Sequence, residues 1–190
     1  MTIRMDRIRL ENFALIKSGM GLDEIDIDFT KSKYTVSLII GNNGTGKTAL
    51  LSNFHPFPYL GALEAREDAD IIIPDMDGHK EVWYSKGDDR YYIEHIYLAP
   101  AGKRTTRQVK CYIQKNGKEL NEPGTIKTFN EIVESEFQIE PNFLKLIRLG
   151  PNVQNFIKLS FTDRKFFISK LLSEVEDYMK DYKQAKEQAK

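Results

Sequence analysis

Residues Gly41-Asn42-Asn43-Gly44-Thr45-Gly46-Lys47-Thr48 spell a complete G-x-x-x-x-G-K-[ST] sequence, and no other stretch restricts the fold as strongly. Glycines at 41, 44 and 46 allow a tight turn that aims several backbone N–H groups into one concavity. A polyphosphate suits such a concavity. A loop of this kind needs a strand before it and a helix after it. The β-branched, apolar run Thr35-Val36-Ser37-Leu38-Ile39-Ile40 predicts the strand, buried on both faces. Ala49-Leu50-Leu51-Ser52-Asn53-Phe54 predicts the first turns of the helix, with Pro56 and Pro58 to stop it. In this reading Gly41 through Thr48 bind ATP, the Lys47 ammonium reaches the β- and γ-phosphates, and the Thr48 hydroxyl ligates Mg²⁺.

Upstream, Arg4–Asn12 and Leu22–Phe29 alternate apolar with charged residues, which predicts two half-solvated strands. Downstream, Leu60–Asp70 reads as helical or irregular. Ile71-Ile72-Ile73-Pro74-Asp75 imitates a Walker B strand, but Pro74 fits a central strand badly and Asp75-Met76-Asp77-Gly78 reads as a turn. Glu81–Ser85, Arg90–Leu98 and Arg107–Gln114 predict an aromatic antiparallel meander, with turns at Gly87-Asp88-Asp89 and Asn116-Gly117. Its Trp83, Tyr84, Tyr91, Tyr92 and Tyr97 read as sheet core rather than as a stacking platform for bases. Thr125–Phe137 carries Ile126, Phe129, Ile132, Val133 and Phe137 at helical spacing, and Pro141 is placed to open a further helix that Gly150-Pro151-Asn152 breaks. Thr162-Asp163 can cap a last helix whose apolar positions Ile168, Leu172, Val175, Met179 and Tyr182 recur at 4, 3, 4, 3. That is a heptad stripe with no glycine or proline to end it, which reads as the start of a coiled coil, although an amphipathic helix packed on its own domain would give a similar seam.

The 190 residues can bury one core plus an extension. No run approaches the ~20 apolar residues of a membrane span, which predicts no membrane partner. Cys111 is the only cysteine, so an internal disulfide and a cysteine-based zinc site are excluded and a reducing cytoplasm is expected. Formal net charge is zero, so any nucleic-acid contact must come from a local patch. Lys103, Arg104, Arg107, Lys110, Lys115 and Lys118 form an acid-free stretch that reads either as such a patch or as a solvated hairpin flank. His55, His79 and His95 have no metal-ligand spacing and read as structural or solvent-facing.

Taken in order, these parts resemble the SbcC family of DNA-repair ATPases, which has relatives among phage recombination-endonuclease subunits. The likeness is carried by Glu11-Asn12-Phe13 at the end of the first strand, the Gly41–Thr48 loop and the aromatic meander. Phe156-Ile157 followed by Asp163-Arg164 and a departing heptad helix extend it over essentially the whole chain. The resemblance implies an α/β fold, a P-loop NTPase of ABC-ATPase type. Residues 1–160 would form its N-terminal half-head with an antiparallel β-meander, and 161–190 the start of the coiled coil. It implies Lys47 and Gln154 as catalytic residues, with Gln154 as a Q-loop glutamine joining Thr48 on Mg²⁺. Gln154 also reads as an ordinary loop glutamine. Where members carry an arginine after the Asn-Phe pair this chain has Ala14, with Lys17 as the nearest substitute. Implied partners are an SbcD-like nuclease subunit, DNA, a C-terminal half-head and a second protomer that completes the site in a homodimer. The family's signature motif, Walker B aspartate, catalytic glutamate and Cys-x-x-Cys hook have no match, so half a head is expected, as a fragment or a split gene product. ATP hydrolysis is then expected only in the completed assembly. The alternatives are a stand-alone P-loop kinase, for which no arginine-rich lid follows the loop, and a non-hydrolysing SMC-like structural protein.

Overall fold

The computed structural model describes residues 2–32, 38–58, 71–99 and 108–139, together with 144, 160–162, 164, 165, 168, 182, 186 and 187. The chain divides into two units, Met1–Pro141 and Asn142–Lys190. In the first unit β1 (Ile3–Glu11), α1 (Ala14–Met20) and β2 (Glu24–Asp28) lead through a 3-10 turn to α2 (Lys47–Leu51). Then follow β3 (Gly78–Lys86), β4 (Asp89–Leu98), β5 (Gln108–Lys115), β6 (Lys118–Glu119) and α3 (Ile126–Phe137). The strands form one sheet in the order β2-β1-β3-β4-β5-β6, and every pairing is antiparallel.

Period-2 alternation builds this sheet. Ile8, Leu10, Val82, Tyr84, Tyr91, Ile93, Cys111 and Ile113 are buried on one face. The other face carries Arg7, Arg9, Glu81, Trp83 and Tyr92 in mutual contact. Lys86 pairs with Asp89 across Gly87-Asp88, and Lys115 pairs with Lys118 across Asn116-Gly117, whose φ angles of 52° and 81° suit a right-twisted two-residue hairpin. The Thr125 hydroxyl accepts from the Thr128 N–H at 3.3 Å and starts α3. That helix buries Phe129, Val133 and Phe137 under the sheet, with Phe129 edge-on to His95 (4.9 Å) and Phe137 against Tyr91 (4.7 Å).

The expected fold class is therefore corrected. A P-loop NTPase half-head of ABC-ATPase type would be α/β, with the loop leaving a strand of a parallel sheet. Here the described strands make a small, wholly antiparallel sheet, accompanied among the described residues by α1, α2 and α3. The run before the loop is not a buried strand over its described part, since Leu38 and Ile40 are 82% and 84% exposed. The physical reason lies in the connections. Parallel pairing needs a long crossover that covers both faces, whereas β3–β4 and β5–β6 close through two-residue turns and leave one face open to charged side chains. Thr35 to Ser37, Leu60 to Asp70, the break at Gly150 to Asn152 and Phe156-Ile157 lie outside the described residues.

In the second unit, residues 161, 162, 164, 165, 168, 182, 186 and 187 are helical, with Ile168 and Tyr182 exposed; the other predicted heptad positions lie outside the described residues. Among the described residues no helix is long and apolar enough to cross a membrane.

The packing of α3 gives a direct test. Phe129→Ala should cost about 3–5 kcal/mol, because a fully buried ring is removed between Phe57 and His95. Ile126→Ala, at a position 41% exposed on the same helix, should cost less than about 1 kcal/mol. Urea unfolding followed by Trp83 fluorescence would measure both, and equal losses would contradict this placement of α3.

Candidate phosphate-binding site

The Gly41–Thr48 segment folds back on itself. Gly44 and Gly46 adopt left-handed φ angles of 83° and 77°, a conformation that costs glycine little. The Thr45 hydroxyl donates to the Asn42 carbonyl at 2.8 Å and pins the turn from inside. The Lys47 ammonium donates to the carbonyls of Gly41, at 2.6 Å, and Asn42. Lys47 thus spans the loop mouth, and its charge is held by two backbone oxygens. Residues 41–44 and Thr48 are exposed. Among the described contacts of the loop none is to a carboxylate, and the Lys47 ammonium is its one described cation. A polyphosphate would suit such a loop if Lys47 exchanged its carbonyl partners for phosphate oxygens. Thr48, exposed in the first turn of α2, is free of protein crowding for a metal-ligating role. The residues present therefore fit ATP and Mg²⁺.

Two structures hold the loop. On one side lies α1, whose Gly19 comes so close that a Cβ there would stand 2.6 Å from the Gly44 carbonyl oxygen. This helix is tied to the sheet by the turn before it. Asn12, at φ 60°, donates through Nδ2 to the Asp77 carbonyl (2.8 Å), and the Ala14 N–H donates to the Ile71 carbonyl (2.8 Å). On the other side, α2 stops at Leu51, well before Pro56, and Ser52 and Asn53 fold their side chains back onto the carbonyls of Thr48 and Ala49. The chain then runs under the sheet, where His95 Nε2 meets the Pro56 carbonyl at 2.7 Å and Lys80 Nζ donates to the Phe57 carbonyl at 2.9 Å.

Burial drives the His95 pKa down to about 3, nearby Lys80 adds to the depression, and the bond to Pro56 opposes it. The ring is therefore neutral at neutral pH and donates from Nε2. His55 lies within 3.4 Å of Lys80, and His79 is 3.6 Å from Glu94, so each histidine has a structural setting.

Of the other predicted residues, Gln154 lies outside the described residues, and so do Lys103, Arg104 and Arg107. Lys17 is engaged by Asp23 at 2.7 Å. Lys115 is engaged by Asp89 and Glu136, so it belongs to the fold and not to a polyanion face. Asp75 sits in an exposed turn at φ 60°, and Ile72 makes an isolated bridge with Phe13. Tyr84, Tyr91 and Tyr97 are buried, while Trp83 and Tyr92 pack together on the outer face. Sequence reasoning missed Gly19 and Lys80. A lysine at the inward parity of Val82 and Tyr84 was the available signal for Lys80, whereas Gly19 had none, since its helix is not marked in the sequence. Compared with family models and with curated proteins, the sequence matches none.

The neutral His95 makes stability pH-dependent with a definite sign. Its folded pKa lies below the unfolded value of ~6.5, so its contribution is complete above that pH and is lost as pH falls toward 3. Each pH unit in that window should remove up to about 1.4 kcal/mol, because the unfolded chain takes up the proton. His95→Gln, compared with the parent by urea unfolding at pH 7, 6, 5 and 4, should show a shallower acid loss. Parallel profiles would contradict the assignment.

Proposed function

We propose that this chain binds a nucleoside triphosphate, ATP with Mg²⁺, in the Gly41–Thr48 loop. The observation that supports this most directly is the loop geometry. Two left-handed glycines, a self-pinned Thr45 and a Lys47 ammonium bonded to two loop carbonyls shape a cationic turn with no carboxylate among its described contacts. In the bound state Lys47 pairs with phosphate oxygens, and Thr48 offers its hydroxyl to the metal. The bound metal would draw charge from the phosphates and lower the barrier to attack at phosphorus.

The wider role proposed is that of the ATP-binding segment of an SbcC-like DNA repair and recombination protein, in which nucleotide binding governs a partner nuclease. Its support is the resemblance carried by Glu11-Asn12-Phe13, the phosphate loop and the aromatic meander. Gln154 is proposed as the water-positioning glutamine on the same ground. A second chain or segment would then supply the carboxylates for hydrolysis.

Two measurements test this. Lys47→Ala removes a charge-assisted bond worth about 1.5–3 kcal/mol, so the affinity for a fluorescent ATP analogue should fall roughly 10- to 100-fold. The circular dichroism spectrum should not change, and an unaltered affinity would remove the loop from the argument. Phosphate release by the chain alone should be negligible. Steady turnover that Lys47→Ala abolishes would instead favour a self-contained P-loop enzyme such as a kinase-like protein.

A further inference from the structure

We infer that Gly19, outside the phosphate-loop sequence, is a positioning residue of the nucleotide site; the inference rests on the phosphate reading of Gly41–Thr48. A Cβ at Gly19 would lie 2.6 Å from the Gly44 carbonyl oxygen, 2.7 Å from the Gly46 nitrogen and 2.7 Å from the Thr45 carbonyl carbon. All three are backbone atoms, so no side chain can swing aside to make room. The approach is reciprocal, because a Cβ at Gly46 would stand 3.0 Å from the Leu15 carbonyl oxygen of α1. Helix and loop therefore meet backbone against backbone. The atoms that Gly19 touches belong to the two left-handed residues that shape the concavity and to the one between them.

The helix is the fixed partner in this contact. It follows β1 directly and is tied to the 71–77 segment that precedes β3, through Asn12 to Asp77 and through the Ala14 bond to Ile71, and Ile16 is buried. Gly44 is exposed and the loop has room to yield outward. A side chain at 19 thus displaces the phosphate cradle and leaves the sheet intact. An ordinary helical glycine predicts the opposite. Replacing it with alanine raises helix propensity and restricts the unfolded chain, so the protein becomes more stable and its site is untouched.

The test compares the full chain with Gly19→Ala and with Ser18→Ala, an exposed neighbour on the same helix. A fluorescent ATP analogue is displaced first by ATP, then by inorganic tripolyphosphate, which reads the cradle without the base. Gly19→Ala should weaken both competitors by roughly 10-fold or more, since a charge-assisted phosphate contact is lost, and Ser18→Ala should leave both unchanged. Amide hydrogen exchange without nucleotide supplies the second readout. Exchange at residues 41–48 should quicken in Gly19→Ala while that of β3, β4 and β5 stays as in the parent. Parent-like affinity and loop exchange in Gly19→Ala would overturn the inference and leave the phosphate reading standing. Rapid exchange throughout the sheet would make Gly19 a residue of the fold and equally overturn it. If the parent chain binds neither ATP nor tripolyphosphate, the phosphate reading itself fails and the inference with it.

Discussion

Two buried polar bonds decide where the candidate site sits. Lys80 is fully buried on β3, and an ammonium there must find acceptors or be strongly destabilised. It donates to the Phe57 carbonyl, and one strand away His95 meets the carbonyl of Pro56. Two adjacent residues of a segment that belongs to no strand are thereby fixed to the centre of the sheet. Removing either side chain alone would leave a peptide oxygen buried without its donor, which costs more than the bond itself contributes. The pair also accounts for the exclusion of protons from His95, since a charged imidazole beside the buried Lys80 would add repulsion to desolvation.

This anchoring replaces the support that a parallel strand would give. A strand-borne phosphate loop is stiff because its entry is hydrogen-bonded on both sides. Here Leu38 and Ile40 are exposed at the loop entry, and among the described residues the loop is held at its exit and its flank. The exit is held by Ser52 and Asn53 on α2 and by the Pro56 and Phe57 carbonyls; the flank is the backbone of α1. The Asn12-Phe13 pair acquires a physical role from this arrangement. Asn12 turns the chain at positive φ and bonds to Asp77, and Phe13 packs edge-on to Tyr97 at 5.8 Å, so α1 leaves β1 at a fixed place.

How far this could be read from the sequence follows from the range of each interaction. The meander was legible because alternation of period two and the Asn116-Gly117 turn are local signals, and α3 was legible through the helical spacing of its apolar residues. The helix α1 was not. Its seven residues include Gly19, and Phe13 at its N-cap offers no side-chain acceptor, so the helix depends on tertiary contacts. The apolar run up to Ile40 misled because a short hydrophobic stretch does not declare whether neighbours exist to cover it. The loop itself was legible as a motif, whereas its support was not, since Lys80 and His95 act through carbonyls 23 and 39 residues away.

The outer face of the sheet bears on the nucleic-acid question. Arg9 is bonded to Glu24, Glu81 and Glu11, and Arg7 to Asp26 while lying 4.7 Å over the Trp83 ring. These contacts hold both guanidiniums in the charged form and pull the Glu24 and Asp26 carboxyls below their ordinary range. A DNA phosphate gains from a cation chiefly by releasing mobile counterions. Here the counterions are carboxylates fixed in neighbouring strands and cannot be released. The arginines of this face are therefore spent on register. A one-residue slip of β1 would turn Arg7 and Arg9 toward the core and Ile8 and Leu10 toward water, which no local rearrangement could repair. Contacts to DNA, in the role proposed for this chain, would fall to other cations, of which Lys110 is exposed on this same face.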